Sequence, residues 1–458
     1  MEKELTQPHP ERKIVLTDAI LIIVGIVVGA GIFRAPSLVA ANTGNDSMFF
    51  LAWILGGLVS IAGALCYAEL ATAFPNTGGD YHFIGRAYGK KPAFLFAWAR
   101  MSVIQTGSIA LLSYIFGDYF SQVYSLGAYS SFIYAAAVII ILTGINIAGI
   151  RLGTRTQRLF TLTEVAGVLL IVVVGLLHAS KAETIYEAPI AGSSSNSLGL
   201  AMVFVLLTFG GWNEAAYISA ELKSGSKGMV KALVVSLLII TILYVLINIA
   251  YIAVLGHQGL SRSTAAGADL MRITLGPLGT YIIGVLVAIS ALTSANATIF
   301  TGARTNYALG RDFRIFSLLG KWNERASGPV NAFLVQGAIS LALISLGLFT
   351  RSGFETIIEY TAPVFWFFFL LVGIAVFILR KKEPGIHRPF QVPLYPLTPV
   401  IFCLSSAYLL YSSVVYTGIG ALIGIYVLLA GGIILFIFRK FGSPAPVKAT
   451  SKISANSA

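Results

Sequence analysis

Twelve runs of about twenty predominantly apolar residues dominate this chain. Each is long enough to cross about 30 Å of hydrocarbon at 1.5 Å rise per residue. They lie near 16–40, 48–74, 93–120, 130–150, 157–178, 198–221, 229–255, 278–307, 329–350, 354–379, 397–416 and 419–438. Hydrocarbon offers no water to an exposed backbone, so a spanning segment must be a helix or a strand of a closed barrel. Period-two alternation is absent, so helices are expected. Composition agrees: 57% of the 458 residues are hydrophobic and 11% charged, against about 25% charged in an ordinary soluble domain. So few charges cannot cover a soluble protein of this length. Disorder, coiled coil and collagen are excluded by the same numbers. No cleavable leader is expected, because residues 1–13 are polar and further spans follow the first.

The formal charge is +12, from 31 basic and 19 acidic side chains. Its placement decides what it means. With the N-terminus in the cytoplasm, 25 of the 31 basic residues fall in inside segments, and only Lys181, Arg262, Arg272 and Arg351 fall outside. Arg34 and Arg100 lie within spans. Cytoplasmic segments retain Lys and Arg, so twelve spans with both termini cytoplasmic are expected, and no nucleic-acid partner. Cys66 and Cys403 both sit in apolar runs and read as packed side chains. His9, His82, His178, His257 and His387 form no metal-ligand spacing, and no catalytic constellation accompanies them. Neither a metal, a cofactor nor an enzymatic activity is expected.

Two spans are interrupted near their middles. In the first, Gly29-Ala30-Gly31 separates the apolar run ending at Val28 from Ile32 and Phe33. In the sixth, Gly210-Gly211 stands between Phe209 and Trp212. Each break falls about 12–14 residues into its span. Unwinding a helix in a bilayer strands backbone N–H and C=O groups at several kcal/mol each. A half-helix N-terminus suits a carboxylate, and a half-helix C-terminus suits an ammonium group or a cation. Two opposed breaks make a receptor for a zwitterion. The alternative is close helix packing at the glycines. Since the broken spans are five apart, two five-helix halves of opposite orientation are expected, the pattern of an inverted-repeat carrier. The chain then divides into a tail (1–13), a first repeat (14–178), a second repeat (198–379), two extra helices (397–440) and a tail (441–458).

Gly29 to Phe33 (GAGIF) resembles the first-span motif of the amino acid–polyamine–organocation transporters. Cys66 to Tyr81 (CYAELATAFPNTGGDY), Phe209 to Leu222 (FGGWNEAAYISAEL) and Gly302 to Asp312 (GARTNYALGRD) are similar to segments of the L-type amino acid transporter branch. The matches occur in order along nearly the whole chain. The resemblance implies an all-α integral membrane protein of LeuT type, with twelve spans in a five-plus-five inverted repeat and two C-terminal helices. It implies that the N–H groups of Ala30 and Gly31, between Gly29 and Ile32, hold a substrate carboxylate. The carbonyls of Val27 and Phe209 would hold its amino group. Gly210, Gly211 and Trp212 would shape the side-chain pocket, with Phe209 as a gate. The segment Ser121–Tyr129 lacks the cysteine by which the animal branch joins a heavy chain, so no disulfide-linked partner is expected.

One departure matters. Many members carry a lysine in the fifth span, where TQRLFTLTEVAG from Thr156 aligns Glu164. The reversed charge fits a proton site, or a cation site with the carbonyls of Gly25 and Val28 and with Ser294 opposite. A structural pair with Arg34 or Arg100 is the alternative. Charged groups within spans are costly and tend to be functional. Arg34 reads as an ion-pair member or an attractor of anions, and Glu214 as a pathway charge or a cap. Arg100 is open between Glu164 and Glu214. Glu69 and Glu221 read as contacts to loop arginines. The expected function is amino acid transport across the cytoplasmic membrane by alternating access, with proton symport of neutral amino acids preferred. Sodium-independent exchange, a cationic amino acid or polyamine carrier, and a sensor without flux are the alternatives.

Overall fold

A computed structural model describes residues 13–179, 198–263, 265–348, 362–417 and 421–439. The tails, the segment 180–197 and the start of the tenth apolar run lie outside the described residues. The described chain is built of helices. In order these are α1 (Leu16–Val27), α2 (Ala35–Ala41), α3 (Asp46–Ala73), α4 (Asp80–Tyr88), α5 (Lys90–Ala99), α6 (Gln105–Val123), α7 (Ser130–Ala148) and α8 (Ile150–Ala179). Then follow α9 (Leu198–Thr208), α10 (Gly225–Arg262), α11 (Ala266–Asp312), α12 (Val330–Leu346), α13 (Ala362–Lys382), α14 (Leu397–Thr417) and α15 (Ala421–Arg439). Among the described residues nine helices are long and apolar enough to cross a membrane, and shorter apolar helices lie at Leu16–Val27, Val330–Ser345 and Gly424–Ile437. Helix occupies each of the twelve apolar runs.

Local chemistry sets the boundaries. Gly256 (φ 65°) bends α10 and Gly276 (φ 62°) bends α11 just before Pro277, a pair of residues unsuited to a helix interior. The span portions of these long helices therefore end and begin where the apolar runs do. Asn45 caps α3 by accepting from the Met48 amide at 2.9 Å. A π-helical turn, Arg100–Ile104, joins α5 to α6. Outward faces carry Ile140, Ile141, Leu159, Leu162, Leu429 and Phe436, all exposed. A water-facing surface would not carry so many large apolar side chains, and a bilayer covers them.

The buried apolar side chains form two cores. One is centred on α1, α3, α9 and α10 and continues to α13 and α14. The other is drawn from α6, α7, α11 and α12, around Tyr114, Leu142, Ile299 and Phe333. The helix breaks lie in the first core, and the first of them faces α8 and α11.

Candidate functional site

The first break begins at Val28 (φ −74°, ψ 55°), and Gly29 is extended (φ −84°, ψ −173°). A 3-10 turn, Ala30–Phe33, then leads into α2. Ile32 N–H donates to the Gly29 carbonyl at 3.3 Å and Arg34 N–H to Gly31 at 3.1 Å. Ala30 and Gly31 supply the first-turn N–H groups, which have no partner within their own helix. Gly29 and Ala30 are half-buried and Gly31 and Arg34 exposed, so these donors are open to a ligand.

The second break follows α9. Gly211 adopts φ 110°, ψ −20°, a left-handed conformation that costs a side-chain-bearing residue roughly 1–2 kcal/mol. A Cβ there would lie 2.4 Å from Ile26 Cγ2. The backbone of the second break thus abuts the last turn of α1. A 3-10 segment, Trp212–Glu221, continues from it.

One side chain joins the breaks. The Tyr244 hydroxyl, on α10, stands 2.7 Å from the Val27 carbonyl and 2.9 Å from that of Thr208. It has one proton to donate between them. The contact at the second break is therefore made at Thr208, next to the expected Phe209. Phe209 is fully buried, its ring centroid 4.9 Å from Tyr244 and 6.3 Å from Trp53. Trp212 turns away from the first break into an aromatic cluster, 5.1 Å from Tyr67 and 5.4 Å from Phe369. With Gly210 and Gly211 it borders a narrow cleft, with a cavity volume of only about 20 Å³, that Ser60, Trp366 and Phe402 also line.

Glu164 is 2% exposed, and neither carboxylate oxygen has a hydrogen-bond partner. The Ser290 hydroxyl faces it and donates to the Val28 carbonyl at 3.2 Å. Ser294 donates to the Gly25 carbonyl at 3.2 Å. Gly25 is tightly enclosed: a Cβ would meet Thr161 Oγ1 at 2.2 Å and Gln157 Nε2 at 2.6 Å. Beyond it runs a buried amide ladder. Asn296 donates to Gln157 at 2.8 Å and Asn146 to Asn296 at 2.9 Å. The structure thus brings Glu164, Val28, Gly25 and Ser294 around the first break, and adds Ser290 and Tyr244. Nothing in the sequence singled out those two, because an isolated Ser or Tyr in an apolar run has no local signature.

The arginine assignments resolve differently from the alternative pairing of Glu164. Arg100 pairs with Glu214, its Nη2 2.7 and 2.6 Å from the two oxygens. Arg34 forms no ion pair among the described residues. Glu69 accepts from Arg380 Nε at 2.8 Å and from the Val392 amide at 2.7 Å. Glu221 accepts from Arg304 Nη2 at 2.8 Å. Both are held by arginines, but these lie within α13 and α11 and not in loops as expected. The end of the molecule where α1 begins, here the proximal end, is laced together. Ile14 N–H donates to the Glu221 carbonyl at 3.0 Å, Lys223 N–H to Ile14 at 2.8 Å, and Arg158 pairs with Asp18. The breaks are sealed on the proximal side and accessible at Gly31 and Arg34.

A family model described as amino acid permease matches residues 14–438. The chain is 28% identical over 449 residues to the b(0,+)-type amino acid transporter 1 of Mus musculus, covering 96% of this chain and 91% of that protein. It is 28% identical over 456 residues to the Homo sapiens protein of the same name, covering 96% and 92%. It is 30% identical over 437 residues to the large neutral amino acids transporter small subunit 2 of Oryctolagus cuniculus, covering 93% and 80%.

Proposed function

The chain belongs to the amino acid permease family, and from that premise we propose that it carries amino acids through the cell membrane by alternating access, coupled to protons. Twelve spans form two inverted five-helix halves with two further helices, and the proximal end is cytoplasmic. The observation that carries the reading is the abutment of two half-helix breaks with free N–H groups at Ala30 and Gly31. The substrate carboxylate binds those donors, where a partial positive charge and open backbone coincide. Its ammonium group approaches the carbonyls at Val27 and Phe209 and competes with the Tyr244 hydroxyl for Val27.

Movement follows from the two apolar cores. The core around α1, α3, α9 and α10 rocks against the core of α6, α7, α11 and α12. Opening the proximal side requires release of the Asp18–Arg158 pair and of the main-chain bonds at Ile14. Glu164 binds the coupling proton. Its carboxyl reaches the break through Ser290 and the Val28 carbonyl, so the charge state of one bears on the shape of the other. Cys66 and Cys403 lie inside α3 and α14, and the carrier works without a disulfide-linked partner.

Purified protein in liposomes tests this. A labelled amino acid accumulates against its gradient when the proton gradient is directed inward. Failure to move any amino acid, polyamine or amine refutes the carrier reading. Movement only in exchange for internal amino acid refutes proton coupling and selects the exchanger.

A further inference from the structure

Below Trp212, the first turn of the 3-10 segment carries Asn213 and Glu214. They share a buried pocket with Arg100 from the π-turn and with Asp80, the first residue of α4. The Arg100 guanidinium carbon stands 4.3 Å from the Tyr217 ring centroid while Nη2 holds both oxygens of Glu214. Asp80 Oδ2 lies 3.4 Å from Asn213 Nδ2, and the Tyr67 hydroxyl of α3 is beside its carboxyl. Asp80 Oδ1 has no hydrogen-bond partner. Asp80 is 3% exposed and Arg100 2%.

The charge count is unbalanced. The groups facing Asp80 are Arg100 from the π-turn, Glu214, Tyr217 and Asn213 from the 3-10 segment, and Tyr67 from α3. The helices α11 and α13 also pack on α4 but meet other residues of it. Asp312 accepts from Tyr81, and Lys382 donates to the Ala87 carbonyl. Two carboxyls therefore face one guanidinium, which bonds Glu214 and acts on Asp80 only through its charge. Both ionised, they leave one uncompensated negative charge in a dry pocket, which is costly. Glu214 already holds the arginine. One proton on Asp80 restores neutrality, and Oδ1 is the vacant atom that takes it.

We propose that Asp80 is a proton-binding site of the proximal gate. It is protonated while Trp212–Glu221 is seated as here, and it gives its proton to water when that segment swings out and the carboxyl is hydrated. The inference rests on the carrier reading for the swing, but not on Glu164.

The direction follows from linkage. Burial pushes the Asp80 carboxyl up to about 7, against the pull of Arg100 and with the push of Glu214. A hydrated aspartate titrates near about 4. The closed gate binds the extra proton, so it is favoured at low pH. Opening grows easier by up to about tenfold per pH unit between about 4 and about 7, and then levels off. From about pH 5.5 to about pH 7.5 the open-to-closed ratio rises roughly 20-fold.

The test reads gate opening directly on the full chain in vesicles. Ser219, in the same segment, is buried and its hydroxyl meets the Asn76 backbone at 3.3 Å. Ser219→Cys, in a Cys66→Ala/Cys403→Ala background, is labelled by an impermeant maleimide applied from the proximal side. Rates are divided by those of the exposed reference Ser224→Cys, which removes the intrinsic thiol titration. The corrected rate is expected to rise about 20-fold over that range and then flatten. Asp80→Asn holds it at the low-pH value throughout, and Asp80→Glu keeps a rise. Glu164→Gln leaves the rise intact. A flat profile in the parent protein, a rise that survives Asp80→Asn, or its loss in Glu164→Gln overturns the proposal. The parent profile decides even if Asp80→Asn does not fold. A pH-dependent gate in a protein that moves no substrate counts against the carrier reading and not against Asp80.

Discussion

Gly211→Ala tests the site at its tightest point. The new Cβ would lie 2.4 Å from Ile26 Cγ2 and 3.6 Å from both Ile26 Cβ and the Ile26 carbonyl oxygen. Cγ2 is fixed on a β-branched carbon and cannot rotate away freely. Two costs arise. Holding alanine at φ 110° costs roughly 1–2 kcal/mol. Pressing a methyl into a filled contact costs roughly 1–3 kcal/mol. Together, about 2–5 kcal/mol falls on the state in which the breaks abut, enough to weaken apparent substrate affinity by about 30-fold or more. The partner change Ile26→Ala removes Cγ2. It is expected to return the contact share and leave the backbone share, so the double variant regains part of the affinity. Uptake KM and the unfolding midpoint in detergent, measured on all four members of the cycle, separate the two shares. Wild-type affinity in Gly211→Ala refutes the abutment as the binding geometry, and so does a cycle with no coupling between the positions.

Other outcomes follow from the same contacts. Glu164→Gln is expected to abolish proton-driven uptake in liposomes while sparing exchange of internal for external substrate; unchanged driven uptake removes Glu164 from the coupling role. Tyr244→Phe takes the donor from two buried carbonyls, at about 1–3 kcal/mol, so the unfolding midpoint falls, and KM changes because the ammonium group no longer competes at Val27. Glu214→Gln takes from Arg100 the carboxylate that its Nη2 holds; Asp80 can ionise in its place, so the cost is expected to stay below the about 3–5 kcal/mol of a fully uncompensated buried charge. Removing both groups together, as Arg100→Met with Glu214→Met, is expected to destabilise less than Glu214→Gln alone, and thermal unfolding in detergent checks the order.

Much of the molecule is legible in the order of its residues alone. The apolar runs mark helices because one local rule, burial of backbone polarity in hydrocarbon, acts on consecutive residues. The breaks at Gly29–Gly31 and Gly210–Gly211 were readable for the same reason, since glycine in mid-span is a local signal. The bends at Gly256 and Gly276 likewise coincide with the ends of apolar runs.

What the chain could not disclose by itself is which distant groups meet. Arg100 is 114 positions from Glu214, and Tyr244 is 217 from Val27 and 36 from Thr208. No periodicity connects such pairs, and a lone Tyr, Ser or Asp reads the same whether it faces a lipid or a helix break. The orientation of Trp212 into an aromatic cluster, the isolation of Glu164 beside Ser290, and the burial of Asp80 beside the Arg100–Glu214 pair were decided only by packing. Desolvation and hydrogen-bond satisfaction depend on three-dimensional neighbours, whereas helix formation in a bilayer depends on neighbours in sequence. The sequence by itself therefore determined where the helices run and where they break, and the tertiary structure decided what each break and each buried charge is joined to.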